Sequence, residues 1–272
     1  ETLPAQAVEM ALWIEFERMI HPQITQSELN NQRDVVKNEI KVNVLNRPYG
    51  GFPWIDMSEK AFMNWQNNHN GYGDMEDLSA ASISDVKSFY FDYYNPTNAT
   101  IVVTGDVEPN SVIKKIEELF SQIPVKKLLP ELDLTEPKQK KENRHYKTDR
   151  LAPKPAMCIA YHAPPRMSDD FFALGLFDQM FLQGEDSLLN KFLVREKGIT
   201  EDIFGGISFE GNMFTSKDPM LWHFSMIYDD LNSSEQIIKF VDQLLEDAID
   251  EKKIAELLPV ARTKIDSSLF HV

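Results

Sequence analysis

Apolar residues fall along the chain in blocks of helical and strand spacing. Between residues 5 and 20, Val8, Leu12, Phe16, Met19 and Ile20 recur at steps that share one helix face, and His21-Pro22 closes the run. Thr25 followed by Glu28 forms a capping-box pair, and neither glycine nor proline intervenes before Pro48. A second helix is therefore expected over about residues 26–46, forming a hairpin with the first. Residues 48–53 read as a loop, 57–65 as a helix and 67–73 as another loop. Ser84 precedes a short helix over 86–94 whose Phe89, Tyr90, Tyr93 and Tyr94 form an aromatic face best explained by core packing. Residues 98–107 make a near-continuous β run closed at Gly105-Asp106, where a plain turn is a better reading than a phosphate loop. Pro109 then opens a helix through Phe120.

Between residues 126 and 150 the composition shifts to Lys, Glu, Pro and Gln, the pattern of an exposed, mobile connector. This divides the chain into residues 1–125, the connector 126–150, and residues 151–272. Beyond the connector, 156–162 reads as a strand, 169–182 as a strongly apolar helix stopped by Gly184, and 187–197 as a helix running into Gly198. Two strands over 203–214 and 219–228 suggest an antiparallel hairpin in which Trp222, Phe224 and Met226 alternate with Leu221, His223 and Ser225. Helices follow over 234–248 and 251–269, with a kink or break expected at Pro259. The fold class is α+β: mixed, mostly antiparallel sheets with helices packed on one face. Strand-plus-helix units on both sides of the connector hint at a duplicated plan.

Composition narrows the function. With 272 residues, 42% hydrophobic and 26% charged, the chain has the makings of an ordinary core. A formal net charge of −15 argues against nucleic acid or an anionic membrane as partner and favours cationic or unfolded peptides. No apolar run is long enough for a membrane span, and no signal-peptide pattern is present. The single cysteine, Cys158, rules out an internal disulfide and a cysteine-rich zinc site, and is expected in a strand core. The chain begins Glu1-Thr2-Leu3-Pro4, without methionine, and enters a helix at once, which reads as a piece of a longer protein. Nucleophile elbows, Rossmann or phosphate loops and EF-hands are all absent from the sequence.

The candidate chemistry lies on the second helix. Leu29, Gln32, Val36, Glu39, Ile40 and Asn43 share one face, whereas Arg33, Lys37 and Lys41 point elsewhere. An ionised glutamate on an inward face needs a partner, so Glu39 is expected either to pair with a basic residue or to bind a metal ion. Gln32, two turns earlier, is placed to support the same ligand. His69 stands among turn formers with no second histidine at metal-binding spacing, and is expected to be solvated or to brace its loop. His162 is expected at a strand end.

The run Gln32-Arg33-Asp34-Val35-Val36-Lys37-Asn38-Glu39, followed by Asn46-Arg47-Pro48-Tyr49-Gly50, resembles the pitrilysin/insulinase (inverzincin) metallopeptidases. Bacterial zinc proteases related to mitochondrial processing peptidase are the relevant members. Residues 98–106 and 189–198 are similar to the same family. The resemblance implies that Glu39 is the third ligand of a catalytic Zn2+, with Gln32 in a hydrogen-bonding role behind it. The other two ligands and the general base would come from an upstream His-x-x-Glu-His motif that this sequence does not contain, so the chain alone should be inactive and carry no catalytic residue of its own. It also implies a peptide substrate and a second homologous lobe, in the same chain or in a partner subunit. Where the opposite lobe of the family continues to a tyrosine, this sequence has Ile199-Thr200-Glu201-Asp202, which favours the zinc-side lobe and leaves Arg195 a surface ion pair. The alternative is a non-catalytic lobe that binds peptide or a partner subunit.

Overall fold

The computed structural model describes residues 1–209, 213–229 and 231–270. Its helices and strands follow the order α1 (Val8–Ile20), α2 (Gln26–Ile40), α3 (Trp54–Ala61), α4 (Trp65–Asn68), α5 (Met75–Ala80), α6 (Ile83–Tyr93), α7 (Pro109–Phe120), β1 (Ala156–His162), α8 (Asp169–Phe181), β2 (Phe204–Ile207), β3 (Leu221–Ile227), α9 (Ser234–Ala248) and α10 (Glu251–Leu269). Residue contacts gather into two compact units. One comprises residues 1–38 and 73–133, the other 39–72 and 134–272.

In the first unit the core is the seam between α1 and α7. Leu12 and Phe16 pack on Val112, Leu119, Phe120 and Ile123, with the Phe16 and Phe120 rings edge to face at 6.0 Å. Helix α7 begins where the sequence places it: Pro109 needs no N–H partner at a first turn, and the Glu108 carboxylate accepts from the amides of Asn110 and Ser111. Asn95, 2% exposed, pins the chain behind α6. Its Nδ2 donates to Pro124 O, and its Oδ1 accepts from the Thr97 amide and hydroxyl.

Two expectations fail here for one reason. Residues 99–104 are extended but pair with no strand, so the β run forms no ladder. Helix α6, capped by Ser82 rather than Ser84, buries none of its residues; Phe89, Phe91, Tyr93 and Tyr94 are exposed. Sequence patterning fixes which residues share a face, but nothing among the described residues of this unit covers these faces.

The second unit is organised on a three-stranded antiparallel sheet, order β1-β3-β2. In its register Tyr161 opposes Trp222, Ile159 opposes Phe224 and Met157 opposes Met226. These residues share the face that packs on Phe171, Phe177 and Phe181 of α8, with Ile237 and Val241 of α9 in the same core. The α+β class holds, in a helix-rich form with one small, wholly antiparallel sheet. Strand β2 is shorter than the 203–214 expected; of that range, residues 210–212 lie outside the described residues. Helix α3 starts at Trp54 rather than residue 57, and the expected loop at 67–73 begins with the short α4. Helix α10 runs through Pro259 without a break.

Candidate functional site

The candidate residues sit on α2, whose start is built as the sequence requires. Glu28 Oε2 accepts from the Thr25 amide at 3.2 Å, and Thr25 Oγ1 accepts from the Glu28 amide at 3.3 Å, closing the capping box. Arg33 points away from the candidate residues, donating to the carbonyls of Ser79 and Ala81 at the C-terminus of α5, where unpaired carbonyls favour a cation. After Ile40 the helix continues as a π-helix over Lys41–Leu45, so the helical run ends next to residue 46, as expected.

Gln32 and Glu39 lie seven residues apart on α2, nearly in line along the helix. Both side chains are exposed, which corrects the inward face expected for Glu39; the buried position is its neighbour Ile40, 6% exposed. The apolar stripe is turned by one residue relative to the face that the spacing suggested. Glu39 has no hydrogen bond or ion pair among the described residues, so the alternative that it neutralises a basic side chain does not occur here. A catalytic zinc takes about three protein ligands. Among the described residues no group of three His, Cys, Asp or Glu is placed to hold a metal ion. These residues fit such a metal only as the source of one carboxylate ligand, and no chemical step can be derived through it from this chain.

The segment after the π-helix is the most tightly specified part of the region. Tyr49 adopts φ 58°, donates its amide to Asp149 Oδ2 at 2.8 Å and its hydroxyl to Lys154 O at 2.9 Å, and accepts from Lys154 N. The Asp149 carboxylate also accepts from the Leu151 amide, and these bonds hold its pKa below the usual value. Gly50 has no room for a side chain: a Cβ there would lie 1.8 Å from Val44 O. The resemblance marks Tyr49-Gly50 as a motif, and the structure supplies its physical content. The phenol fastens the far end of residues 126–150, and the glycine lets the turn close on the helix.

Residues 126–150 are mostly exposed and carry no helix or strand, yet they are not loose within the second unit. Glu136 accepts from the amides of Met63 and Asn64 and from Asn67 Nδ2, at 2.8, 3.1 and 2.6 Å. Burial pushes the Glu136 pKa up, but these hydrogen bonds outweigh it and the carboxyl lies below its ordinary value. Lys147 reaches Asp56 at 2.7 Å. Lysine-rich composition reports exposure and hides such tethers, each made by a single carboxylate.

The remaining candidates take structural roles. His69 bonds Trp65 O through Nδ1 and stacks on the Trp65 ring at 4.3 Å, bracing its loop. His162, at the end of β1, bonds Ala61 O and meets the Phe62 ring edge-on. Burial raises the Cys158 thiol to about 12, which keeps it a protonated strand residue. Arg195 pairs with Glu185 at 2.5 Å, both side chains more than half exposed, and such a pair contributes little. Sequence reading missed Asp178 on α8, 6% exposed, whose Oδ1 accepts from Trp222 Nε1 at 2.8 Å. A lone aspartate in the apolar run 169–182 was the available signal.

Against known proteins, the model described as "Peptidase M16 inactive domain" matches residues 80–258. A relative named "Zinc protease PqqE", from Helicobacter pylori, is 24% identical over 191 residues, covering 66% of this chain and 41% of that protein. The solved structure of a protease from Helicobacter pylori superposes with a TM-score of 0.82 at 21% identity, covering 96% of this chain and 63% of the other. A peptidase M16 inactive domain from Pseudomonas fluorescens gives a TM-score of 0.74 at 16% identity, covering 96% and 60%. The chain thus spans less than two thirds of the length of these relatives. At these identities the structural likeness establishes the fold alone.

Proposed function

Because the chain belongs to the peptidase M16 family, whose inactive-domain model matches it over residues 80–258, we propose that it is part of a zinc-dependent metalloendopeptidase acting on peptides or unfolded polypeptides. In this reading Glu39 supplies one carboxylate to a Zn2+ whose other ligands lie outside these 272 residues, and Gln32 steadies the ligand from two turns earlier. The metal would polarise a peptide carbonyl and activate water. This chain's own contribution is to present an anionic oxygen from a capped helix. The observation that carries the reading is the bare state of Glu39: a carboxylate at the position of the resembled ligand, exposed and unpaired. The substrate, and a second homologous lobe facing this one in the same chain or a partner subunit, belong to the same proposal.

A second reading is that the chain forms a non-catalytic lobe that binds peptide or a partner. The match to a model described as inactive and the absence of a three-residue metal group among the described residues favour it. The two readings part at Glu39. In the full-length protein, Glu39→Gln keeps the side-chain shape and removes the anionic ligand. Zinc content after dialysis and hydrolysis of an unfolded peptide should both collapse, while the melting temperature in metal-free buffer stays put. Unchanged zinc content and activity would move the protein to the second reading.

A further inference from the structure

The first unit exposes what folded units bury. It spans residues 1–38 and 73–133, yet its buried apolar core is six side chains in the α1–α7 seam. Across from that seam, residues 99–104 (Ala-Thr-Ile-Val-Val-Thr) run extended, with Ala99 at φ −123° and ψ 147°. None of the amides from Thr100 to Thr104 donates a backbone hydrogen bond. Val103 packs toward the core, whereas Val102 is 78% exposed. A run so rich in β-branched residues, extended and without a ladder, is a strand edge waiting for a partner; left open in water it is an aggregation hazard. Helix α6 adds a second, independent exposure, because Phe89, Phe91, Tyr93 and Tyr94 are between 44% and 65% exposed on a helix that buries no residue. Monomeric proteins rarely leave such patches uncovered.

We propose that residues 99–104 accept a β-strand from polypeptide of the same protein outside these 272 residues, and that the segment bringing it covers the aromatic face of α6. The occupant is chosen by length: the chain fits almost entirely onto the solved Helicobacter pylori protease but spans only 63% of it, and spans 41% of the zinc protease. Main-chain pairing supplies the register and Val102 the first apolar contact, so the added strand needs an apolar residue opposite that position. The inference rests on family membership for the extra length, but not on any role for Glu39.

Amide hydrogen exchange on the full-length protein tests it without reference to zinc. Amides within residues 100–104 should exchange about 100-fold or more below the rate of an open chain, and dilution should leave that protection unchanged. Exchange at the open-chain rate overturns the proposal. Protection that disappears on dilution also overturns it, by assigning the edge to a second copy. Val102→Asp should shorten the protection and lower the melting temperature, whereas Val102→Thr, a β-branched replacement, should keep both. If Val102→Asp fails to fold, the wild-type exchange pattern and Val102→Thr still decide. Because Glu39→Gln reads metal and activity, failure of the zinc reading and failure of strand addition are separable.

Discussion

Asp178→Asn is the sharpest test of how the second unit is held together. The aspartate is 6% exposed on α8, and burial raises its pKa from 3.8 to about 6, although the Trp222 indole N–H and the Gln183 side chain oppose the shift. The folded state therefore binds the proton more tightly than the unfolded chain. The contribution of this group is most favourable below pH 3.8, is lost as pH rises through the interval to about 6, and is flat above it. At about 1.4 kcal/mol per pH unit, keeping the carboxylate ionised in the core costs roughly 3 kcal/mol at neutral pH. Asparagine stays neutral, and its Oδ1 can still accept from Trp222 Nε1. Its Nδ2, however, faces the Gln183 amide, whose Nε2 is committed to Gly205 O at 3.1 Å; that mismatch returns about 1–2 kcal/mol. The variant should thus be more stable than wild type by about 1–2 kcal/mol at pH 7.5, and about 2 kcal/mol of relative advantage should vanish by pH 4.5. Urea unfolding followed by tryptophan fluorescence at several pH values measures both quantities. A stability difference that does not change with pH, or an asparagine variant less stable at pH 7.5, would refute the argument. It would mean that the charged form is better satisfied than its burial implies.

Two further substitutions probe the region after α2. Glu136→Ala removes the acceptor for two backbone amides and the Asn67 side chain, so it should cost about 1–3 kcal/mol and make residues 126–150 the first site cut in limited proteolysis. In wild type that protection should weaken in acid, because a carboxyl with a lowered pKa holds its bonds above pH 4.5 and loses them as pH falls through its folded value. Gly50→Ala should destabilise by more than about 3 kcal/mol, read as a fall in melting temperature, since the clash is with backbone rather than a movable side chain.

How much of this was legible beforehand depends on whether the signal is local. Caps and breakers are local, so the start of α2 at Gln26, of α7 at Pro109 and the span of β1 at Ala156–His162 all follow from short stretches. A strand, by contrast, exists only with its partner: residues 99–104 have the composition and the extended backbone but no ladder. The same limit applies to α6 and to Glu39. Periodicity groups Phe89 with Tyr93, and Gln32 with Glu39, but which group meets protein and which meets solvent depends on neighbours far away in sequence. Strand β2 stops early partly because Gly205 lies so close to β3 that a Cβ there would fall 2.1 Å from His223 O, a constraint only the folded neighbour reveals. The tethers at Tyr49 and Glu136 cross about a hundred and about seventy residues, and no reading of a lysine-rich run locates such partners.

The π-helix over Lys41–Leu45 bears on how this segment can change over evolutionary time. Such a turn is an α-helix that has absorbed one residue more than its hydrogen-bond ladder needs. Upstream of it, Gln32 and Glu39 keep their spacing whatever happens to its length. Downstream, Tyr49 and Gly50 are held by Asp149 and Val44 and cannot slip. Single-residue gaps between related sequences should therefore collect inside 41–45, where losing a residue merely restores ordinary helix, while the flanks stay fixed in length.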